Sequence, residues 1–240
     1  MLQIEICDGV ATIRMNRPDV HNAFDDALIA ALTAELRRLE QLPEARVIVL
    51  AANGKSFSAG ADLNWMRRMA TYSKEENVRD AMALADLMRT LDGVKKPTIA
   101  RVQGAAFGGG VGLVACCDIA VASTEAAFSL SEVRLGLIPS VISPYVIAAI
   151  GEREARRYFL TAERFDAVEA RRIGLVHDVV DSGALDEAVA KIAGQLLKGG
   201  PQALAAAKKL IADVSRRSMD DALSAETARR IAAIRVESEG

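Results

Sequence analysis

Phe57-Ser58-Ala59-Gly60-Ala61-Asp62-Leu63-Asn64 and Gly104-Ala105-Ala106-Phe107-Gly108-Gly109-Gly110-Val111-Gly112 each stand where an apolar strand stops and a helix can begin. Small residues in such turns leave backbone N–H groups bare at a helix start, where the helix dipole adds positive potential. Two such N–H groups aimed at one point from separate turns make an oxyanion hole, the usual means of stabilising an enolate or a tetrahedral oxyanion. The second stretch also matches a dinucleotide pattern formally, with Gly110, Gly112 and Ala115 in register and Glu132 twenty residues after Gly112. Its helix is short before Asp118, it lies mid-chain rather than in an initial βαβ unit, and it leaves the Ser-Ala-Gly-Ala-Asp stretch unexplained, so the nucleotide reading ranks low. Gly54-Lys55-Ser56 resembles the end of a phosphate-binding loop, but Val49 stands where that motif needs its first glycine.

On either side of these turns the pattern is α/β. Ile4 and Ile6 alternate with polar residues, Asp8-Gly9 supplies a turn, and Val10 to Met15 resumes a strand, which predicts a β-hairpin. Asp25 and Asp26 precede Leu28, Leu32, Leu36 and Leu39 at helical spacing, and Val47 to Leu50 reads as a fully buried strand. A helix over about 75–91 is expected to turn Val78, Met82, Ala85 and Leu91 inward. Thr98 to Val102 is a short strand, Val111 to Cys117 a helix, Ile119 to Ala122 a strand, and Phe128 to Ser131 a short strand leading into Glu132. From Gly151 onward helical periodicity dominates, through Val168 to Ile173, then Leu185, Val189, Ile192 and Leu196, then Pro201 opening Ala203 to Val214, then a last helix from about Met219 to Val236. The chain stops at Ser238-Glu239-Gly240 without a helix cap, which reads as a tail left off.

At 240 residues and 51% hydrophobic, the chain can bury one large core. Thirty basic against thirty-two acidic residues leave no electrostatic footprint for nucleic acid or for a membrane surface, and no apolar run reaches membrane-spanning length. Met1-Leu2-Gln3-Ile4-Glu5-Ile6 has the character of neither a secretory signal nor an Arg-rich presequence. Cys7, Cys116 and Cys117 show no metal spacing and read as small apolar filler, which fits a reducing cytoplasm. No Gly-x-Ser-x-Gly elbow or His-Glu-x-x-His motif occurs, and His21 and His177 stand alone, so a Ser/His/Asp mechanism is disfavoured and neither histidine receives a catalytic role.

Two glycine-rich turns about fifty residues apart, with an acid in a third segment, carry more weight than either turn alone. With Asn16-Arg17-Pro18, Asn22-Ala23, Cys117-Asp118, Glu132 and Leu135-Gly136-Leu137-Ile138-Pro139, they make the sequence resemble the crotonase, or enoyl-CoA hydratase/isomerase, superfamily over nearly its whole length. The resemblance implies an α/β crotonase (ClpP/crotonase-like) spiral of repeated ββα units. It divides the chain into a core over 1–195 and a C-terminal helical trimerisation region over 196–240, with assembly as a homotrimer or dimer of trimers. It also implies that Ala61 and Gly109 hold an acyl-CoA thioester oxygen, with Ala59, Asp62, Leu63, Asn64, Gly108 and Arg17 around the CoA, and Arg67 and Arg68 as further candidates for its pyrophosphate. CoA enters as part of the substrate; no metal or redox cofactor, nucleic acid or membrane is expected.

Hydratases of the family commonly carry a first catalytic glutamate two residues after the glycine triplet, where this chain has Gly112, and a second where it has Glu132. Glu132 is therefore the candidate general acid/base, with a pKa tuned by an apolar pocket. Asn64 to Met69, Gly112 and Val141-Ile142-Ser143-Pro144 are most similar to the methylglutaconyl-CoA and isohexenylglutaconyl-CoA hydratase branch. On that resemblance Gly112 leaves volume for a branched acyl chain, Trp65, Met66 and Met69 line it, and a nearby arginine pairs a distal carboxylate. The resemblance implies reversible syn hydration of a 2-enoyl-CoA. A Δ3,Δ2-enoyl-CoA isomerase using one glutamate and a catalytically silent acyl-CoA binder are the alternatives, and an RNA-binding role ranks last.

Overall fold

The structure, a computed structural model, describes residues 1–215, 217–218 and 220–237. The expected helix start at Met219 and the uncapped terminus at 238–240 lie outside the described residues. Alternating side chains pair β1 (Leu2–Cys7) with β2 (Val10–Met15) as an antiparallel hairpin, closed by Asp8 and Gly9 at φ 49° and 83°. The Asp25 carboxylate accepts the Leu28 N–H at 2.8 Å and starts α1 (Asp26–Gln41), whose Leu28, Leu32, Leu36 and Leu39 stripe is buried.

A strand, strand, helix step then repeats. β3 (Val47–Ala52) runs through a short turn into β4 (Ser56–Ser58) and on to α2 (Leu63–Met69) and α3 (Lys74–Gly93). β5 (Thr98–Val102), β6 (Ala105–Phe107) and α4 (Gly109–Cys116) follow in the same order. Next come β7 (Ile119–Ser123), β8 (Ala127–Ser129), a 3₁₀ turn at Glu132–Leu135, and α5 (Ser143–Thr161), which breaks at Gly151. β9 (Phe165–Asp166), α6 (Ala167–Arg172), β10 (Asp178–Val180), α7 (Leu185–Leu196), α8 (Pro201–Val214) and α9 (Asp221–Glu237) complete the order. The first strand of each step joins a six-stranded sheet ordered β1-β2-β3-β5-β7-β10 and the second a four-stranded sheet ordered β4-β6-β8-β9. This is the expected α/β crotonase spiral of ββα units with a helical C-terminal region.

β3 is buried along its whole length because both its faces are covered. Ile48 and Leu50 enter the main core with α1, α3, α4 and α5, while Val47 and Val49 meet Ile99, Val121 and the α7 residues Leu185, Val189 and Ala193 in a second core. α8 buries none of its residues and is tethered by Lys208, which pairs with Asp118 at 2.9 Å. Among the described residues no helix is long and apolar enough to cross a membrane.

Two expectations are corrected here. Val78 and Met82 are 54% and 62% exposed: the first half of α3 extends past the core, and the buried stripe is Leu87, Met88 and Leu91 further along. Helix does dominate from Gly151 onward, through α5 to α9, and the short β9 and β10 between them extend the two sheets. Cys7 is exposed at the end of an edge strand rather than packed, with its thiol directed at the Asp8 carboxylate, 3.4 Å away.

That hydrogen bond and the Asp8 charge raise the Cys7 pKa, whereas burial raises those of Cys116 and Cys117, the latter to about 12. A thiol-exchange reagent is accordingly expected to modify Cys7 alone in the native protein, more slowly than a free cysteine, and all three thiols after unfolding. Rapid native modification at Cys116 or Cys117 would contradict the packing described.

Candidate active site

Asn22, fully buried with φ 52°, organises the approach to the first signature turn. Its Oδ1 accepts the Arg17 N–H at 2.8 Å, and its Nδ2 donates to the Asn53 and Ser56 carbonyls at 2.8 and 2.9 Å. Ser58 Oγ donates back to the Asn22 carbonyl at 2.9 Å, so this segment and β4 are locked together. The next contact fixes the turn itself. Phe24 donates its N–H to Gly60 O at 2.7 Å and accepts the Asp62 N–H at 2.8 Å, an isolated parallel bridge that brackets Ala61. In such a bridge the middle residue's N–H points away from the partner strand, here away from Phe24.

The second turn arrives at the same residue. Gly108 donates to Ser129 O at 2.9 Å and takes φ 49° as it opens α4, so Gly109 occupies the first helical position, where an N–H has no intrahelical acceptor. A Cβ on Gly109 would come within 2.9 Å of the Phe24 ring. Phe24 thus brackets Ala61 with its backbone and supports Gly109 with its ring. Among the described residues neither the Ala61 nor the Gly109 N–H meets an internal acceptor.

Glu132 begins the 3₁₀ turn after β8 and reaches back over the second signature turn. Its Oε1 lies 3.0 Å from where a Cβ on Gly108 would stand, and its Oε2 is buried without a hydrogen-bond partner. Burial raises the Glu132 pKa, partly countered by its own backbone N–H. Ala59, Ala61, Leu63, Gly108, Gly109 and Glu132 all line one cavity of about 320 Å³. Trp65, Met66 and Met69 of α2 stand on its wall as expected, joined by Leu84, Val141 and Ile142. Two unpaired amides and one desolvated carboxyl on a shared apolar wall form the kind of arrangement that stabilises an oxyanion and moves a proton beside it.

Arg17, Asp62, Asn64 and Gly112 do not line this cavity. Asp62 caps α2, accepting the Asn64 and Trp65 N–H groups at 2.8 and 3.3 Å. The Arg17 guanidinium spans Ala23 O at 2.7 Å, Asp25 at 2.8 Å and Asp62 at 3.3 Å, which ties the start of α1 to the first signature turn rather than leaving it open to a phosphate. Arg67 donates to Asn64 at 3.3 Å and Arg68 pairs with Asp26 at 3.1 Å. For Gly112 the expectation of free volume is corrected: a Cβ there would meet Ile142 Cγ2 at 2.3 Å, because Ile142 already fills the space. Nor does an arginine wait for a distal carboxylate, since among the described residues the cavity wall carries no Lys or Arg.

The histidines are structural. His21 Nδ1 lies 3.1 Å from Ser56 Oγ, and His177 Nδ1 accepts the Ala120 N–H at 3.1 Å. Sequence reasoning missed Asp80, a second carboxylate on the cavity wall. A signal for it existed: Asp80 continues the stripe of Leu84, Leu87, Met88 and Leu91 at helical spacing, and an acid on an apolar stripe faces something other than solvent.

The sequence profile described as enoyl-CoA hydratase/isomerase matches residues 5–237. A crystal structure of an enoyl-CoA hydratase from Shewanella pealeana superposes with a TM-score of 0.95 at 48% identity, covering 98% of this chain and 88% of that one. Crotonyl-CoA hydratase of Syntrophomonas wolfei is 32% identical over 222 residues, covering 91% of this chain and 84% of that protein. The 2,3-dehydroadipyl-CoA hydratase of Escherichia coli is 33% identical over 217 residues, covering 90% and 82%.

Proposed function

Since the chain belongs to the enoyl-CoA hydratase/isomerase family of the crotonase superfamily, we propose that it adds water reversibly and with syn geometry across the double bond of a branched 2-enoyl-CoA. Water attacks the β-carbon while the Glu132 carboxylate takes its proton. Charge moves onto the thioester oxygen, where the Ala61 and Gly109 N–H groups receive it, and Glu132 then delivers the proton to the α-carbon. One carboxyl group serving both carbons works from a single face, which makes the addition syn. The observation that carries this reading is the Glu132 carboxyl, its Oε2 buried without a partner, on the wall that also holds the Ala61 and Gly109 residues.

Water adds as H and OH with no net change of oxidation state, and the charge on the thioester oxygen goes to backbone N–H groups, so this reading calls for no metal or redox cofactor, and CoA enters as the carrier of the acyl chain. We read the substrate as branched from the likeness to the methylglutaconyl-CoA and isohexenylglutaconyl-CoA branch and from the apolar wall of Trp65, Met66, Met69 and Val141. The likeness is kept for the shape of the chain and not for its charge, since a distal carboxylate finds no cation on the wall. α8 and α9 serve as the contact region of a homotrimer or dimer of trimers; α8 buries nothing within the single chain and leaves Ile211 67% exposed, which supports that use. Three free thiols go with a cytoplasmic setting.

Incubation with a branched 2-enoyl-CoA in ¹⁸O-water tests the reaction. The expected product is a 3-hydroxyacyl-CoA carrying one solvent oxygen. Unlabelled, double-bond-shifted product would assign the site to isomerisation, and binding without either product would leave an acyl-CoA binder.

A further inference from the structure

Phe24 touches both of the turns that carry the candidate amides. Its N–H donates to Gly60 O at 2.7 Å and its carbonyl accepts the Asp62 N–H at 2.8 Å, which fixes Ala61 between the two bonds. Its ring meets the other turn: the three atoms nearest to a Cβ on Gly109 would be Phe24 Cε2, Cδ2 and Cζ, at 2.9, 3.1 and 3.7 Å. Phe24 is 2% exposed and lines the cavity. The segment that carries it is held on both sides, since the Arg17 guanidinium donates to Ala23 O at 2.7 Å and pairs with Asp25 at 2.8 Å. Two more glycines set how closely the turns approach: a Cβ on Gly60 would stand 3.2 Å from Phe107 O, and one on Gly110 2.6 Å from Ser58 O. Neither of those contacts involves Ala61 or Gly109.

An oxyanion hole depends on the separation of its donors, because each N–H must stand about 2.7–3.1 Å from one and the same oxygen. A phenylalanine ring is a flat, rigid spacer, and burial in a close-packed wall holds its torsions. We propose that Phe24 is a positioning residue for the oxyanion site, its ring setting the distance between the Ala61 and Gly109 N–H groups and so the stabilisation of an acyl-CoA enolate. A smaller side chain at position 24 lets the start of α4 settle toward the bridge, and a methyl group added at Gly109 drives it away. This rests on the acyl-CoA reading of the cavity, and it adds the residue that tunes the two donors.

The test reads enolate formation without turnover. A 3-oxoacyl-CoA in the presence of saturating protein is titrated with base, and near-ultraviolet absorbance follows the loss of its α-proton to solvent. The wild type is expected to bring the enolisation midpoint down by about one pH unit or more from that of the free thioester, roughly a tenfold stabilisation or better. Phe24→Leu keeps the backbone bridge and loses most of that displacement. Its kcat on a branched 2-enoyl-CoA falls roughly tenfold to a hundredfold, with KM changed by less than about threefold. Gly109→Ala loses the displacement as well, and regains part of it when combined with Phe24→Leu, because the ring is what the added methyl group meets. Phe24→Met, near to phenylalanine in volume but flexible, is expected to show the same loss in smaller measure and serves where Phe24→Leu does not fold. A wild-type midpoint in either folded variant, or single losses that simply add in the double variant, would overturn the positioning role and leave the oxyanion site intact. A wild type that leaves the midpoint of the free thioester unmoved would remove the oxyanion site, and the role of Phe24 with it.

Discussion

Glu132→Gln is expected to lower enoyl-CoA turnover by about a thousandfold while acyl-CoA affinity stays within the same order of magnitude, because the amide keeps the shape of the wall and loses only the proton carrier. The same substitution stabilises the fold at neutral pH. Burial raises the Glu132 pKa from its ordinary 4.5, so the folded protein prefers the protonated form and is penalised wherever the carboxylate is ionised. The sign follows: the penalty is absent below the unfolded pKa, grows as pH rises through the folded one, and is constant above it. Glutamine, never ionised, escapes it, so the gain in Tm appears above about pH 4.5 and fades below. Loss of conjugated-enoyl absorbance and thermal melts at two pH values check both halves. An unchanged rate would remove Glu132 from the reaction, and a variant less stable at pH 7 would mean that its Oε2 has a partner in the folded protein.

The raised pKa also shapes the pH dependence of the wild type. On the proposed reaction the carboxyl acts first as base and then as acid, which works best with a pKa close to the operating pH, and burial moves Glu132 in that direction.

Much of this was legible in the sequence where a short-range rule decides the outcome. The hairpin at Asp8-Gly9, the capped α1 and the doubly covered β3 follow from periodicity and turn chemistry, and the structure has all three. Turn chemistry marked the two glycine-rich stretches, the resemblance to the crotonase superfamily singled out Ala61, Gly109 and Glu132, and all three line one cavity. What failed depends on partners far along the chain. β9 and β10 have two and three residues, too few for a periodic signal, and exist because β8 and β7 offer open edges. Val78 and Met82 mimic an inward stripe, but whether a core lies beneath them depends on where α1 and α4 end. The convergence of the two turns is carried by Phe24, whose backbone and ring do different work, and nothing local to Phe24 announces it. Asp80 was readable in principle, yet α3 also carries Glu75, Glu76 and Asp86, and a helix so acidic reads as solvated.

Gly112 shows the same limit most clearly, and it supports a quantitative expectation. A missing side chain leaves a void only if nothing else fills it, and here Ile142, thirty residues on, does so. Gly112→Ala should gain roughly 0.5–1 kcal/mol from helix propensity. Its Cβ, however, falls 2.3 Å from Ile142 Cγ2 and 2.9 Å from Ile142 Cβ. Ile142 is β-branched and buried, so it cannot turn aside cheaply, and overpacking of this kind costs about 1–3 kcal/mol. The net effect is a loss of stability, larger for Gly112→Glu, which also buries a carboxylate. Ile142→Ala by itself costs about 2–5 kcal/mol through the cavity it leaves. Combined with Gly112→Ala it should cost less than the sum of the two, with a coupling of about 0.5–3 kcal/mol in denaturant melts, because each change relieves the defect of the other. Strict additivity would mean that the helix and the Ile142 segment can separate without penalty. Coupling would mean that packing, as much as chemistry, keeps a second glutamate out of this site: Gly112→Glu becomes tolerable only with Ile142→Ala, and only in that background can a carboxylate at position 112 reach the cavity beside Glu132.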